Sequence, residues 1–79
     1  MSVGDYVVVK YDSDLYPAEI TEIKGDSYQC NSMEAVKLGW RWPVKKDEIW
    51  YKSNDIVRKI TEPIPISSRG TFKFDNFVR

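Results

Sequence analysis

The stretch Gly4-Asp5-Tyr6-Val7-Val8-Val9-Lys10-Tyr11-Asp12-Ser13-Asp14, continued by Leu15-Tyr16-Pro17-Ala18-Glu19-Ile20-Thr21-Glu22-Ile23, decides the fold. β-Branched and aromatic residues fill positions 6–11 and suit a pleated, half-buried surface, and Gly4-Asp5 before them reads as a turn. With a period of two, Val7, Val9 and Tyr11 leave from one face and Tyr6, Val8 and Lys10 from the other. Asp12-Ser13-Asp14 is a tight polar loop. A second strand runs from Tyr16 to Ile23, with Ala18 and Ile20 on one face. Pro17 lacks an N–H and is expected at the strand start or on an edge. Lys24-Gly25-Asp26-Ser27 is a hairpin turn, and a third strand from Tyr28 to Met33 puts Tyr28, Cys30 and Ser32 on one side.

Working outward, residues 34–47 show no clean period. They form the longest loop, expected as a protruding hairpin with Gly39 near its tip, and long loops on a compact scaffold often carry function. Glu48-Ile49-Trp50-Tyr51 is a short fourth strand. Ser53-Asn54-Asp55-Ile56-Val57 predicts one tight helical turn that drops two apolar residues into the core. A fifth strand closes at Ile60. Pro63-Ile64-Pro65 cannot sit in a central strand, and Thr71-Phe72-Lys73-Phe74 alternates as an added edge strand would. Phe72, Phe74 and Phe77 either fold back over the body of the chain or pack on a second copy. The pattern predicts an all-β domain over residues 3–60, a small, strongly bent five-stranded antiparallel barrel with one helical turn before its last strand. An extended tail follows over 61–79.

Composition narrows the chemistry. The 79 residues hold eleven aromatics, one cysteine and no histidine. A domain this small needs staples or dense aromatic packing, and Cys30 alone cannot supply a disulfide. Without histidine there is no histidine-based acid–base pair or zinc set, and Cys30 has no partner base. No glycine-rich phosphate loop is present. No enzyme activity and no cofactor are expected. The single cysteine predicts an intracellular compartment, and no apolar run approaches the roughly 20 residues of a membrane span. The formal net charge is zero, yet residues 1–36 carry two basic against seven acidic side chains and residues 37–79 carry ten against five. Such halves either attract each other within one fold or leave two charged rims that steer a partner.

Trp40-Arg41-Trp42-Pro43-Val44-Lys45-Lys46 is the least ordinary segment. Two indoles spaced by two share a face on an extended strand, beside three cations. They either cap the protein's own core or present a flat surface to a partner.

Gly4-Asp5-x-Val7-x-Val9-Lys10-Tyr11, Tyr16-Pro17-Ala18-Glu19-Ile20 and Asp55-Ile56-Val57 together resemble the Tudor domain family. More broadly they resemble the chromatin-reading group with chromo-barrel and PWWP domains, all built on a Src-homology-3-like barrel. The resemblance covers residues 3 to 60. Residues 40–60 and the ending Arg69-Gly70-Thr71-Phe72-Lys73-Phe74 are also similar to small modules of transposon-derived animal proteins. The Tudor resemblance implies a nuclear reader that holds methylated lysine or arginine of a peptide in an aromatic cage. A methylated cation loses donors but keeps its charge, so ring faces bind it through their quadrupole. Carried over by position, Tyr11 and Tyr16 match the cage. The third aromatic falls near Ser32, which does not match, and the polar residue after it is Glu34 or Asn31. Trp40 or Trp42, folding over from the long loop, would then supply the missing wall.

Three readings stay open. One is the methyl-peptide reader through Tyr11, Tyr16, Trp40, Trp42 and Glu34. Another is a nucleic-acid module using Arg41, Lys45, Lys46, Lys52, Arg58 and Lys59 on phosphates of DNA, with an indole stacked on bases. The third is a protein-interaction or homodimerisation module working through the hydrophobic tail. Against each stands a plainer possibility: the tyrosines plug the barrel end, and the indoles pack on its exterior or on Phe72 and Phe74.

Overall fold

Strand β1 (Tyr6–Tyr11) is buried on both sides, which is why it tolerates three valines in a row. The structure, a computed structural model, describes residues 1–37, 39–66, 68 and 70–74. β1 pairs antiparallel with β2 (Asp14–Lys24), and β2 with β3 (Ser27–Ser32). β3 in turn pairs with β6 (Glu48–Lys52), and β7 (Ile56–Ile60) returns to the free side of β1. The sheet order is therefore β6-β3-β2-β1-β7. A single 3₁₀ turn, Ser53–Asp55, links β6 to β7.

Two irregularities bend this sheet. The β2–β3 register shifts between Ile20 and Glu22, and the β1–β7 register shifts between Val8 and Val9. An extra residue in one strand sharpens local twist and curves the sheet. At the first shift the Thr21 hydroxyl donates to the Gln29 carbonyl at 3.2 Å, holding the displaced position to its neighbour. At the second, Val57 is the residue without a partner. It points out and is exposed, so only Ile56 of the two apolar residues expected in the core enters it.

Pro17 corrects a second expectation. It is buried in the middle of β2, opposite Val8, and not at an edge. Its carbonyl accepts the Met33 N–H at 2.9 Å, so its nitrogen also points toward the β3 side. The β2–β3 ladder stops one residue earlier, at Ala18–Ser32. The missing donor thus falls just past the end of that ladder, and β1 loses no hydrogen bond.

The segment after β3 forms a second antiparallel sheet. β4 (Glu34–Val36) and β5 (Gly39–Arg41) make the expected hairpin, and the sheet order is β4-β5-β9-β8. β8 is Ile64–Pro65, at the edge as its proline requires, and β9 is Thr71–Lys73. β9 lies between β5 and β8, so it is an internal strand of a separate sheet and not an edge strand of the first.

One core lies on the Val7 and Val9 side of β1, with Ala18, Ile20, Cys30, Tyr51 and Ile56. The other lies on the Val8 side and takes Met33, Ile60, Trp40 and Phe74, with Phe72, Tyr6 and Trp42 packed against it. A 79-residue chain buries little surface around one core. Using both faces of β1 is how this one buries more. Every buried side-chain nitrogen and oxygen among the described residues has a hydrogen-bond partner. Among the described residues no helix is long and apolar enough to cross a membrane.

Candidate functional site

The site begins with the turn after β1. Asp12 and Ser13 both take positive φ, 52° and 72°. Two such residues make the hairpin connection whose twist matches that of its strands, and aspartate tolerates this region better than most. The tight turn fixes Tyr11 at the end of β1 opposite Asp14, and Val9 opposite Tyr16. Tyr11 and Tyr16 are therefore diagonal neighbours on one face, within reach of each other's rings. Tyr11 is 50% exposed, while Tyr16 is half-buried and touches both cores.

Both tyrosines line one open cavity of about 670 Å³. Ser32 and Met33 at the end of β3 form a further wall, Glu34 and Ala35 of β4 another, and Ile49 and Tyr51 of β6 the floor. The connection from Pro43 to Asp47 completes the rim. That connection is held at one point. The Asn31 side-chain oxygen accepts the Asp47 N–H at 3.0 Å, and the Ser32 N–H donates to the Asp47 carbonyl at 3.3 Å. Asn31 is buried, so this anchor is shielded from competing water.

Tyr51 was not among the expected site residues, since alternation of Trp50 and Tyr51 with Ile49 makes at least one of the two rings ordinary core. It is core by burial, and its hydroxyl shares a hydrogen bond with Ser32 at 3.3 Å. The position where the resemblance lacks an aromatic is thus met from the neighbouring strand by another ring. Burial raises the Tyr51 phenol above its ordinary value. The hydrogen bond with Ser32 opposes this, and Cys30, Asp47 and Tyr11 push it further up. The phenol is neutral at pH 7. The signal that could have found it was cross-strand pairing, which needs the β3–β6 register in hand.

The indoles are placed elsewhere. Trp40 is only 7% exposed, meets the Tyr16 ring edge-on with centroids 6.3 Å apart, and stands opposite Phe72 of β9. Trp42 packs against Tyr6 at 6.5 Å. Neither lines the cavity. The expectation that Trp40 or Trp42 walls the cage is therefore corrected. The tail adds its own sheet over the second core, and the two rings seal that layer. Phe72 and Phe74 are used in the same way within the chain, while Phe77 lies outside the described residues.

The cations are dispersed. Arg41 pairs with Glu34 at 3.4 Å, Lys52 with Asp26 at 3.9 Å and Lys59 with Asp5 at 3.6 Å. Each of these three pairs joins the acidic first half to the basic second half across the surface of the fold. Arg58 is exposed on β7, and Lys45 and Lys46 alone of the six line the cavity. Surface pairs of this kind contribute little stability, but they leave no uninterrupted cationic stripe among these six. No cluster of metal-ligating side chains occurs among the described residues.

Comparison of the chain with family models, with curated proteins and with solved structures gave no match.

Proposed function

We propose that this protein is a non-enzymatic binding module, a Tudor-like reader on a Src-homology-3-like barrel, that seats a methylated lysine or arginine of a peptide in the tyrosine-lined cavity. The observation that carries the reading is that Tyr11, Tyr16 and Glu34, matched to a cage by position, line one cavity. The five-strand order, with the last strand returning to the first, supports the barrel. Tyr51 supplies a third ring, and Met33 and Ile49 add apolar surface that suits N-methyl groups. Glu34 is shared with Arg41, but Asp47 has no ion-pair partner among the described residues and provides the countercharge. A nuclear, chromatin-associated peptide is the ligand that the resemblance implies.

The test is an NMR titration of the labelled protein with trimethyl-lysine, dimethyl-arginine and unmodified peptides, then with a short DNA duplex, at two salt concentrations. Methylated peptides should shift Tyr11, Tyr16, Glu34 and Tyr51. Tyr11→Ala should weaken binding roughly three- to thirtyfold, the worth of one cation–π contact. Equal binding of the unmodified peptide overturns the cage. Shifts on Arg41, Lys52, Arg58 and Lys59 with DNA, fading at higher salt, would assign the nucleic-acid role instead.

A further inference from the structure

The rim of the cavity carries charge of both signs, Glu34 and Asp47 beside Lys45 and Lys46, and the two lysines make no ion pair there. Lys45 and Lys46 are consecutive, exposed and both line the cavity, yet neither has an ion-pair partner within 4.0 Å among the described residues. Asp47, next in sequence, is the carboxylate assigned above to the methylated cation. Its backbone is tied to Asn31 and Ser32, and its side chain pairs with neither lysine. The loop that holds the two ammonium groups is thus anchored at its Asp47 end and borders the same cavity as the rings on β1 and β2. A methylated cation seated beside Glu34 and Asp47 would leave Lys45 and Lys46, on the same rim, without a counter-ion. Fixed like charges beside a binding position disfavour it, and complementary charge restores the balance.

We infer that the ligand is a doubly marked peptide: a methylated cation for the tyrosines and, close to it in sequence, an anionic side chain for Lys45 and Lys46. This rests on the cavity being the peptide's seat. A phosphorylated serine or threonine fits best, because it brings nearly two negative charges and three acceptor oxygens to two flexible ammonium groups. An aspartate or glutamate offers the same chemistry at half the charge. Of the six cations considered above, Arg41, Lys52 and Lys59 differ from this pair in being matched by carboxylates within the fold.

Four versions of one peptide test it by calorimetry: unmodified, trimethyl-lysine only, phosphoserine only, and both marks two residues apart, with an aspartate replacing phosphoserine as a fifth arm. The doubly marked peptide should bind about tenfold more tightly than the methylated one at low salt, with a smaller gain from aspartate. The gain should shrink as salt rises. In the Lys45→Gln/Lys46→Gln variant the ratio of the two affinities should fall to about one, whereas Lys52→Gln, on the far end of β6, should leave it unchanged. A circular dichroism spectrum of each variant checks folding. Methyl-dependent binding with no gain from the second mark overturns this inference and leaves the reader function standing. Phosphoserine alone binding as well as both marks overturns it too, and with it the role of the rings. Binding of none of the peptides removes the seat on which both proposals depend.

Discussion

Replacing Trp40 by alanine separates a ring that builds the fold from a ring that holds a ligand. The indole is 7% exposed, lies in the second core with Val8, Met33, Ile60 and Phe74, and meets Tyr16 edge-on. Truncating a buried tryptophan removes about 3–5 kcal/mol through lost transfer energy and the cavity left behind. About 1 kcal/mol of that comes from the aromatic pair. A 79-residue domain has roughly 4–12 kcal/mol in total, so the variant should lose at least about a quarter of its stability. Urea unfolding is the assay, read by far-ultraviolet circular dichroism and by the fluorescence of Trp42 and Trp50. With a slope near 1 kcal/mol per molar urea for so small a domain, the midpoint should fall by about 3–5 M. Trp40→Phe should lose less, about 1–2 kcal/mol, since it keeps an aromatic against Tyr16 and Phe72. A loss below 1 kcal/mol for Trp40→Ala, together with abolished peptide binding, would refute the packing argument and return the indole to the cage.

Three further substitutions probe other parts of the same reasoning. A Cβ at Gly39 would fall on the Phe72 carbonyl oxygen and press on Ile66 at 3.4 Å, so Gly39→Ala should cost about 1–3 kcal/mol by forcing β9 away from β5; unchanged stability would mean the two strands are not this close. Asn31→Ala leaves the Asp47 N–H without its buried acceptor and should cost about 1–3 kcal/mol. Hydrogen exchange at Asp47 should speed up, and unaltered protection there would show that the loop has another anchor. Burial pushes the Cys30 thiol up to about 11 from an ordinary 9.0. The unfolded chain therefore loses this proton first, so the contribution is complete below about pH 9 and fades as pH rises toward 11. The wild type should lose about 2 kcal/mol more than Cys30→Ala across that window. The difference between the two isolates Cys30, because burial also raises Tyr6 and Tyr51. Parallel curves would place the thiol in contact with water.

The meander was legible because its signals are local. Alternation in residues 6–11, the turn at 24–27 and the polar break before Ile56 each act over a few residues, and the observed strands match them within two positions. The second sheet was not legible as a sheet. Its strands are two or three residues long, and β5 pairs with β9 across some thirty intervening residues. No short-range pattern encodes that pairing. Val8 carried the missing clue: an unbroken apolar triplet fits a strand covered on both faces better than one with a wet side. At the site, Tyr11 and Tyr16 could be paired from the sequence because one tight turn joins them. Tyr51 could not, since its place depends on the β3–β6 register and on a hydroxyl that leans toward Ser32.

The same covering of β1 bears on function. A chain of this length has few large rings, and each can serve the core or a ligand but seldom both. Trp40, Phe72 and Phe74 close the second core, and Trp42 shields Tyr6 beside it. These hydrophobic groups are committed within the chain, which weakens any account in which they dock a partner. Tyrosine is suited to the remaining task. Its ring packs against a core while its hydroxyl stays hydrated or bonded, so it can stand in a cavity wall without an exposed apolar patch. Tyr11, Tyr16 and Tyr51 do this at three depths: half-exposed, half-buried and buried. Under the proposed function, a graded wall of that kind would receive an extended side chain along its length. Removing Tyr11 should therefore affect binding with little loss of stability, whereas removing Tyr51 should affect both. That ordering follows from burial alone, and a reversal of it would mean that the cavity is structural and that ligands are held elsewhere.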